Sequence, residues 1–381
     1  MFFALDIGTT TVDLSLVCYD TEQILNKITF PNPQRIFGVD VISRIEFCRK
    51  NGINALQKVL IKKLNEAINT ILNKSDIPRI SEMFVAGNTT MLHTFFGVAC
   101  SSMGTSPYKP QFLHSQSVRG VEIGLERIDR VISLPCISAF AGADIVAGIN
   151  HVGMPGKGKF NLLVDLGTNA ECVIFSHDKI ISTSAAAGPC FEGANICCGT
   201  PAMSGAVCEY EFKDKIKTIN DAPPVGICAT GLIDIIAELL RHNIIDDTGR
   251  LNEKYYITDD IYISQADIRN FQTAKSAVYS AIRVLMKKSG CTFRDIDKIY
   301  IAGGFSEKLN FRNAIITGLL PMECIEKYKS VNNSSLLGTI DYALNKTDLN
   351  ALIKDAVYTD LAEEIEFSEL FIHNMHFSFF E

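Results

Sequence analysis

Three predominantly apolar runs, each closed by a glycine turn, punctuate the chain. They are Phe2–Ile7 before Gly-Thr-Thr-Thr, Asn161–Leu166 before Gly-Thr-Asn-Ala-Glu, and Lys298–Ala302 before Gly-Gly-Phe-Ser. Continuous β-rich runs that stop at glycine predict strands covered on both faces. Elsewhere the apolar residues take helical spacing, over Asn54–Asn73, Thr230–His242 and Ser264–Lys288. The last of these opens on Ser264-Gln-Ala-Asp267, a capping-box pattern in which each side chain bonds the other's backbone. Strands alternating with long helices predict α/β architecture.

The first two strands repeat one another. Leu5-Asp6-Ile7-Gly8-Thr9-Thr10-Thr11-Val12 matches Val164-Asp165-Leu166-Gly167-Thr168-Asn169-Ala170-Glu171 in pattern. A repeat whose copies lie roughly 160 positions apart predicts two related halves, divided near Met154-Pro-Gly-Lys-Gly-Lys-Phe160. The divider lacks the spacing of a phosphate loop and reads as a turn. The expected organisation is residues 1–153 as one half, with an insertion, and 154–344 as the other. Residues 345–381 are expected to form a tail, aromatic toward its end, that packs back on the body.

Composition narrows the class. The chain has 381 residues, 47% of them hydrophobic and 21% charged, the balance of a globular protein. With 36 Lys and Arg against 43 Asp and Glu, and no dense basic run, neither nucleic acid nor a membrane surface is expected as the main partner. Twelve cysteines, none paired in CxxC spacing, encode neither a secreted disulfide framework nor a zinc ribbon. The N-terminus lacks a basic leader, and no apolar run reaches the ~18 residues of a membrane span. A reduced, cytoplasmic protein is the expectation.

The Asp-x-Gly-Thr turns carry the chemistry. Glycine allows close approach of the backbone to a phosphate, and the amides and hydroxyls that follow donate to its oxygens. Gly8, Thr9 and Thr10 form one such set, and Gly167, Thr168 and Asn169 the other. Asp6 and Asp165 are placed to hold Mg²⁺ through water, because Mg²⁺ keeps much of its hydration shell. Gly303, Gly304 and Phe305 offer a surface nearly free of side chains for a base and ribose. Gly231, in the helix start Gly226–Gly231, either aims amides at a nucleotide or simply begins a helix.

The order of these elements, with Ala141-Gly-Ala-Asp144-Ile-Val-Ala-Gly148 between the hairpins and Gly338 near the end, resembles the acetate and sugar kinase, chaperone and actin (ASKHA) superfamily. The resemblance implies two RNase-H-like, actin-like ATPase halves with an interdomain nucleotide cleft. It implies that small residues let the helices bearing Gly148 and Gly338 touch. It gives Asp144 either the orientation of the attacking water or a hydrogen bond at the hinge. It gives Lys275 either a contact with adenine or a place on a solvated helix face.

Further strings narrow the resemblance. Asn32-Pro-Gln34, Gly38-Val-Asp-Val-Ile-Ser-Arg-Ile45, Gly87-Asn-Thr-Thr-Met-Leu-His93, Leu134–Asp144, Ala187-Gly-Pro-Cys-Phe-Glu-Gly193 and Asn333-Ser-Ser-Leu-Leu-Gly338 look like the ATPase part of the reductive activators of corrinoid-dependent proteins. That family implies ATP and Mg²⁺ as ligands and a corrinoid protein or corrinoid methyltransferase system as partner. ATP would be coupled there to return of Co(II) to Co(I), and a homodimer is a family-level expectation. Fuller members carry an iron–sulfur ferredoxin module before the first hairpin, where only five residues precede Asp6 here. No iron–sulfur cluster is therefore expected in this chain, and the electron donor is expected to be a separate ferredoxin-like protein. Cys190, Cys197, Cys198 and Cys208 match no standard cluster spacing and read as packing. Two alternatives stay open, a small-molecule kinase of the same superfamily and a nucleotide-gated binding protein without sustained turnover. Arg44, Asn88 and Glu192 lie in family-like strings without derivable chemistry.

Overall fold

Phe2–Ile7 forms strand β1, whose side chains divide between two cores. Phe3, Leu5 and Ile7 pack with Leu60, Leu64 and Val85, whereas Phe2 and Ala4 pack with Leu336 and Ile340. Alternate residues of a strand point to opposite faces, so a strand covered on both sides must be apolar throughout. The computed structural model describes residues 1–377 apart from Thr168 and Asp214.

Strands β2 (Thr11–Val17) and β3 (Ile24–Pro31) continue from β1 as an antiparallel meander. Helices α1 (Val41–Asn51) and α2 (Asn54–Lys74) lead into β4 (Ile80–Gly87), which runs parallel to β1. Helix α3 (Thr89–Phe96), strands β5 (Ser117–Arg119) and β6 (Ile128–Ser133), and helix α4 (Ala143–Val152) follow. The sheet order is β3-β2-β1-β4-β6-β5.

The pattern then begins again. Strands β7 (Phe160–Leu166), β8 (Ala170–Phe175) and β9 (Ile180–Ala185) form a second antiparallel meander. An inserted region carries the small sheet of β10 (Ala206–Glu211), β11 (Lys215–Thr218) and β12 (Gly226–Ile227), then helix α5 (Ala229–Arg241). After a ribbon of β13 (Tyr255–Tyr256) and β14 (Tyr262–Ile263) comes the long helix α6 (Gln265–Ser289), capped by the Ser264–Asp267 box. Strand β15 (Ile296–Ala302), helix α7 (Phe311–Ile316) and strand β16 (Tyr328–Ser330) complete the run. Its sheet contains the order β16-β15-β7-β8-β9, the counterpart of β6-β4-β1-β2-β3. The duplicated α/β topology is the structural form of the sequence repeat.

The chain divides into two compact units, one of Met1–Met154 with Asn333–Tyr358, the other of Pro155–Asn332 with the residues from Thr359. The sequence reading assigns 154–344 to one half, whereas helix α8 (Ser334–Asn345) and the short α9 (Leu349–Leu352) belong to the first unit. Packing decides it. Leu336 and Ile340 of α8 cover Phe2 and Ala4, and a Cβ on Gly338 would lie 1.8 Å from the Ala147 carbonyl oxygen of α4. The tail is shared, and helix α10 (Ile365–His373) lies in the second unit. Among the described residues no helix is long and apolar enough to cross a membrane.

Candidate functional site

At the end of β1 the chain turns through Gly8, Thr9 and Thr10, and three side chains hold this turn. Asn32 donates from Nδ2 to the Gly8 carbonyl at 2.8 Å, and Arg44 from Nη2 to the Thr9 carbonyl at 2.7 Å. Asn88 donates to the Thr9 hydroxyl at 3.0 Å. A trans peptide directs its C=O and N–H to opposite sides. Anchoring the Gly8 and Thr9 carbonyls therefore turns the N–H groups of Thr9 and Thr10 away from the anchors.

Asp6 stands at the strand end beside this turn. One of its oxygens accepts from Asn333 Nδ2 at 2.8 Å and the other from Ser335 Oγ at 2.7 Å. Asn333 also caps α8 through its side-chain oxygen and donates to Asp13 at 2.8 Å. Burial pushes the Asp6 carboxyl up to about 6, a rise that the Ser335 and Asn333 hydrogen bonds oppose. A carboxylate offers about four lone-pair directions, so these bonds leave acceptor capacity for metal-bound water.

Asp144 lies in the first turn of α4, where a negative charge suits the helix dipole, and its carboxylate accepts from the Ile145 N–H at 2.8 Å. The start of α4 approaches the first hairpin's support, because a Cβ on Gly142 would meet the Asn88 Cα at 2.4 Å. Asp6, Thr9, Asn88 and Asp144 thus belong to one unit, tied together through α3, α4 and α8.

The second unit builds its own cluster. Strands β7 and β15 run parallel with Asp165 opposite Ala302, so the hairpin and the Gly-Gly-Phe turn emerge at the same sheet end. Ligands favour that end of parallel strands. Gly303 has φ +103°, and a Cβ there would lie 2.4 Å from the Leu166 carbonyl and 3.1 Å from an Asp165 oxygen. A Cβ on Gly304 would meet nothing within 4 Å, which leaves an open surface. Phe305 is buried against Phe191 at 5.7 Å between ring centroids. Phe191 belongs to the Ala187–Gly193 string, whose Glu192 carboxylate would sit 3.9 Å from a Cβ on Gly167. Asp165, Gly167, Asn169, Gly303, Gly304 and Phe305 are therefore neighbours, and Thr168 lies outside the described residues.

Two further expected residues lie on helices of the second unit. Gly231 sits inside α5, where a Cβ would be 2.2 Å from the Val207 carbonyl, so its smallness lets α5 pack on β10. Lys275 is on no solvated face. It is 2% exposed and donates to the His376 carbonyl, with its ammonium 5.1 Å from the centre of the Phe377 ring. Burial pulls its pKa down to about 7. Neighbouring α6 residues hold the same tail, Gln272 bonding the Met375 carbonyl and Ser276 the Phe371 carbonyl.

Of the four clustered cysteines, Cys190 and Cys208 are buried, Cys198 is half-buried and Cys197 is exposed. Among the described residues no group of three or more His, Cys, Asp or Glu side chains is arranged around a metal position. A cavity of about 880 Å³ opens in the second unit between Glu307–Asn313, β10–β11 and α5. It includes neither hairpin nor the Gly303–Phe305 turn, so its size does not make it the phosphate site.

Comparison with known proteins supplies the family. Residues 2–157 match the RACo middle region, and residues 159–379 match the C-terminal domain of RACo, the ASKHA domain. The chain belongs to the family of reductive activators of corrinoid proteins. The corrinoid activation enzyme RamQ of Eubacterium limosum is 30% identical, with 98% of this chain and 70% of that protein covered. The [Co(II) methylated amine-specific corrinoid protein] reductase of Methanosarcina barkeri is 26% identical, with 93% and 72% covered. A solved reductive activator for a corrinoid, iron–sulfur protein superposes with a TM-score of 0.88 at 31% identity. The match covers 98% of this chain and 65% of that activator, so this chain spans about two thirds of its length.

As a member of the activator family, the chain gives its strings a physical reading. Asn32, Arg44 and Asn88 come from three of them and converge on the first hairpin, while Asn333 and Ser335 of a fourth hold Asp6. Sequence reasoning assigned none of these five a role. Their strings were visible, but the contacts join residues as many as 329 positions apart.

Proposed function

We propose that this activator binds and hydrolyses ATP to drive one-electron reactivation of a corrinoid protein of a methyltransferase system. The electron comes from a separate ferredoxin-like donor, which is oxidised as Co(II) becomes Co(I). The observation that supports the ATP reading is the first hairpin, whose Gly8 and Thr9 carbonyls are anchored by Asn32 and Arg44 so that the N–H groups of the same peptides turn to the opposite side. The names of the relatives support the corrinoid partner.

In this reading Gly8, Thr9 and Thr10 bind phosphate oxygens, as do Gly167, Thr168 and Asn169, and Gly303–Phe305 support the base and ribose. Asp6 and Asp165 hold waters of Mg²⁺, which neutralises phosphate charge when bound. Asp144 orients the attacking water. These residues act by positioning and by stabilising charge. Coupling requires ATP to favour the partner complex in which Co(II) is more easily reduced. A homodimer is the assembly this reading carries.

The test is anaerobic ATP turnover with and without a corrinoid protein. Stimulation by the Co(II) form, and not by the Co(I) or methylated form, is expected. Stimulation by a sugar or carboxylate instead would move the assignment to a kinase, and silence throughout would overturn turnover altogether.

A further inference from the structure

Arg44 is fully buried, and its partners are unusual for a cation. Nε donates to the Gly38 carbonyl at 2.9 Å, Nη2 to the Thr9 carbonyl at 2.7 Å, and Nη1 reaches the Met91 sulfur at 3.1 Å. Among the described residues no carboxylate lies within ion-pair distance of it. The nearby Asp40, whose side chain caps α1 by accepting from the Ser43 N–H at 2.7 Å, favours the charged guanidinium only at longer range, without bonding it. A buried cation without a directly bonded counter-ion is expensive, and neutral carbonyls compensate it only in part.

Its position indicates where the missing charge belongs. Arg44 bonds the oxygen of the Thr9–Thr10 peptide, whose N–H points to the other side of the turn. A donor pulling on the carbonyl polarises the amide and strengthens its N–H as a donor. An anion bound at the turn is thereby paired with the guanidinium through one peptide.

Resting on the nucleotide reading above, we propose that Arg44 is a positioning residue whose buried charge is the fixed counter-charge for a phosphate at the Gly8–Thr10 turn. The guanidinium does not touch the ligand. It stabilises the ligand's negative charge by acting on the peptide that does.

The experiment is calorimetric titration of the full chain with ATP, inorganic tripolyphosphate and adenosine, for wild type, Arg44→Met and Arg44→Lys. The methionine removes charge while keeping an apolar stem, and the lysine keeps charge while losing the planar fork. Arg44→Met should lose at least about tenfold in affinity for ATP and tripolyphosphate, leaving adenosine within about twofold, and Arg44→Lys should recover most of the loss. Equal losses for ATP and adenosine would make Arg44 a structural tie only and overturn the proposal. So would unchanged tripolyphosphate binding in Arg44→Met. If Arg44→Met fails to fold, Arg44→Lys decides: tenfold weaker tripolyphosphate binding in a folded lysine variant would mean that bonding geometry, not charge, matters. Wild type that binds neither ATP nor tripolyphosphate would overturn the nucleotide reading as well, whereas binding that is indifferent to position 44 overturns this proposal alone.

Discussion

The Asn333 amide nitrogen lies 2.8 Å from a carboxylate oxygen of Asp6, although 327 positions separate the two residues. With Ser335 on the other oxygen, the start of α8 fixes the carboxylate proposed to organise metal-bound water. The expected outcome of Asp6→Asn is a loss of ATP turnover greater than about tenfold, the order expected when a metal- and water-positioning group is removed. Asp165→Asn should behave alike. Unchanged turnover in both variants, measured as anaerobic phosphate release, would remove both aspartates from the site.

Asp6 also predicts a pH signature in the nucleotide-free protein. Its carboxyl is raised from 3.8 to about 6, so between these values the native state holds a proton that the unfolded state has released. Its contribution to stability is fully present below the unfolded value and is lost as pH rises through about 6. Wild type should therefore lose stability relative to Asp6→Asn between pH 4 and 6 and run parallel to it above pH 7. Paired thermal melts across that range check this, and a constant difference would contradict it.

Lys275 has the opposite signature. Its pKa falls from 10.5 to about 7, so between these values the unfolded state binds more protons and stability rises with pH. Lys275→Met should flatten that rise. Melts at pH 6, 8 and 9.5 would show the wild-type gain shrinking in the variant, and an equal gain in both would rule out lysine burial as its source.

Gly338→Ala tests the contact between α4 and α8. The added methyl would stand 1.8 Å from the Ala147 carbonyl oxygen, a backbone atom with no side-chain freedom to yield. A loss of about 3 kcal/mol is expected, the upper part of the range for overpacking. Urea unfolding should report it as a lower midpoint, and an unchanged midpoint would mean that the helices separate at no cost.

The strands were the most legible part of the sequence. Phe2–Ile7 was read to the residue, and the two later runs were short by only one and two residues at their starts. Strands buried on both faces write their positions into composition, and glycine marks where each one stops. The course of residues 333–358 was not legible, because a small-residue helix packs equally well on either repeat of one topology. That Lys275 lies on no solvated face was not legible for a related reason. A helical lysine implies solvent or a ligand, and nothing local announces that residues 371–377 cover it. Side-chain support of the first hairpin escaped because Asn32, Arg44 and Asn88 act on backbone and hydroxyl atoms, which leave no pairing pattern in sequence.

The return of the chain to its first unit sets an order of events during synthesis. The inner face of β1 at Phe2 and Ala4 stays without its cover until Leu336 and Ile340 have been made. By then every strand of the second sheet from β7 to β16 has been synthesised. A segment translated well before α8 is thus among the last to be finished, and a nascent chain arrested before α8 would expose apolar β1 surface for chaperones to hold.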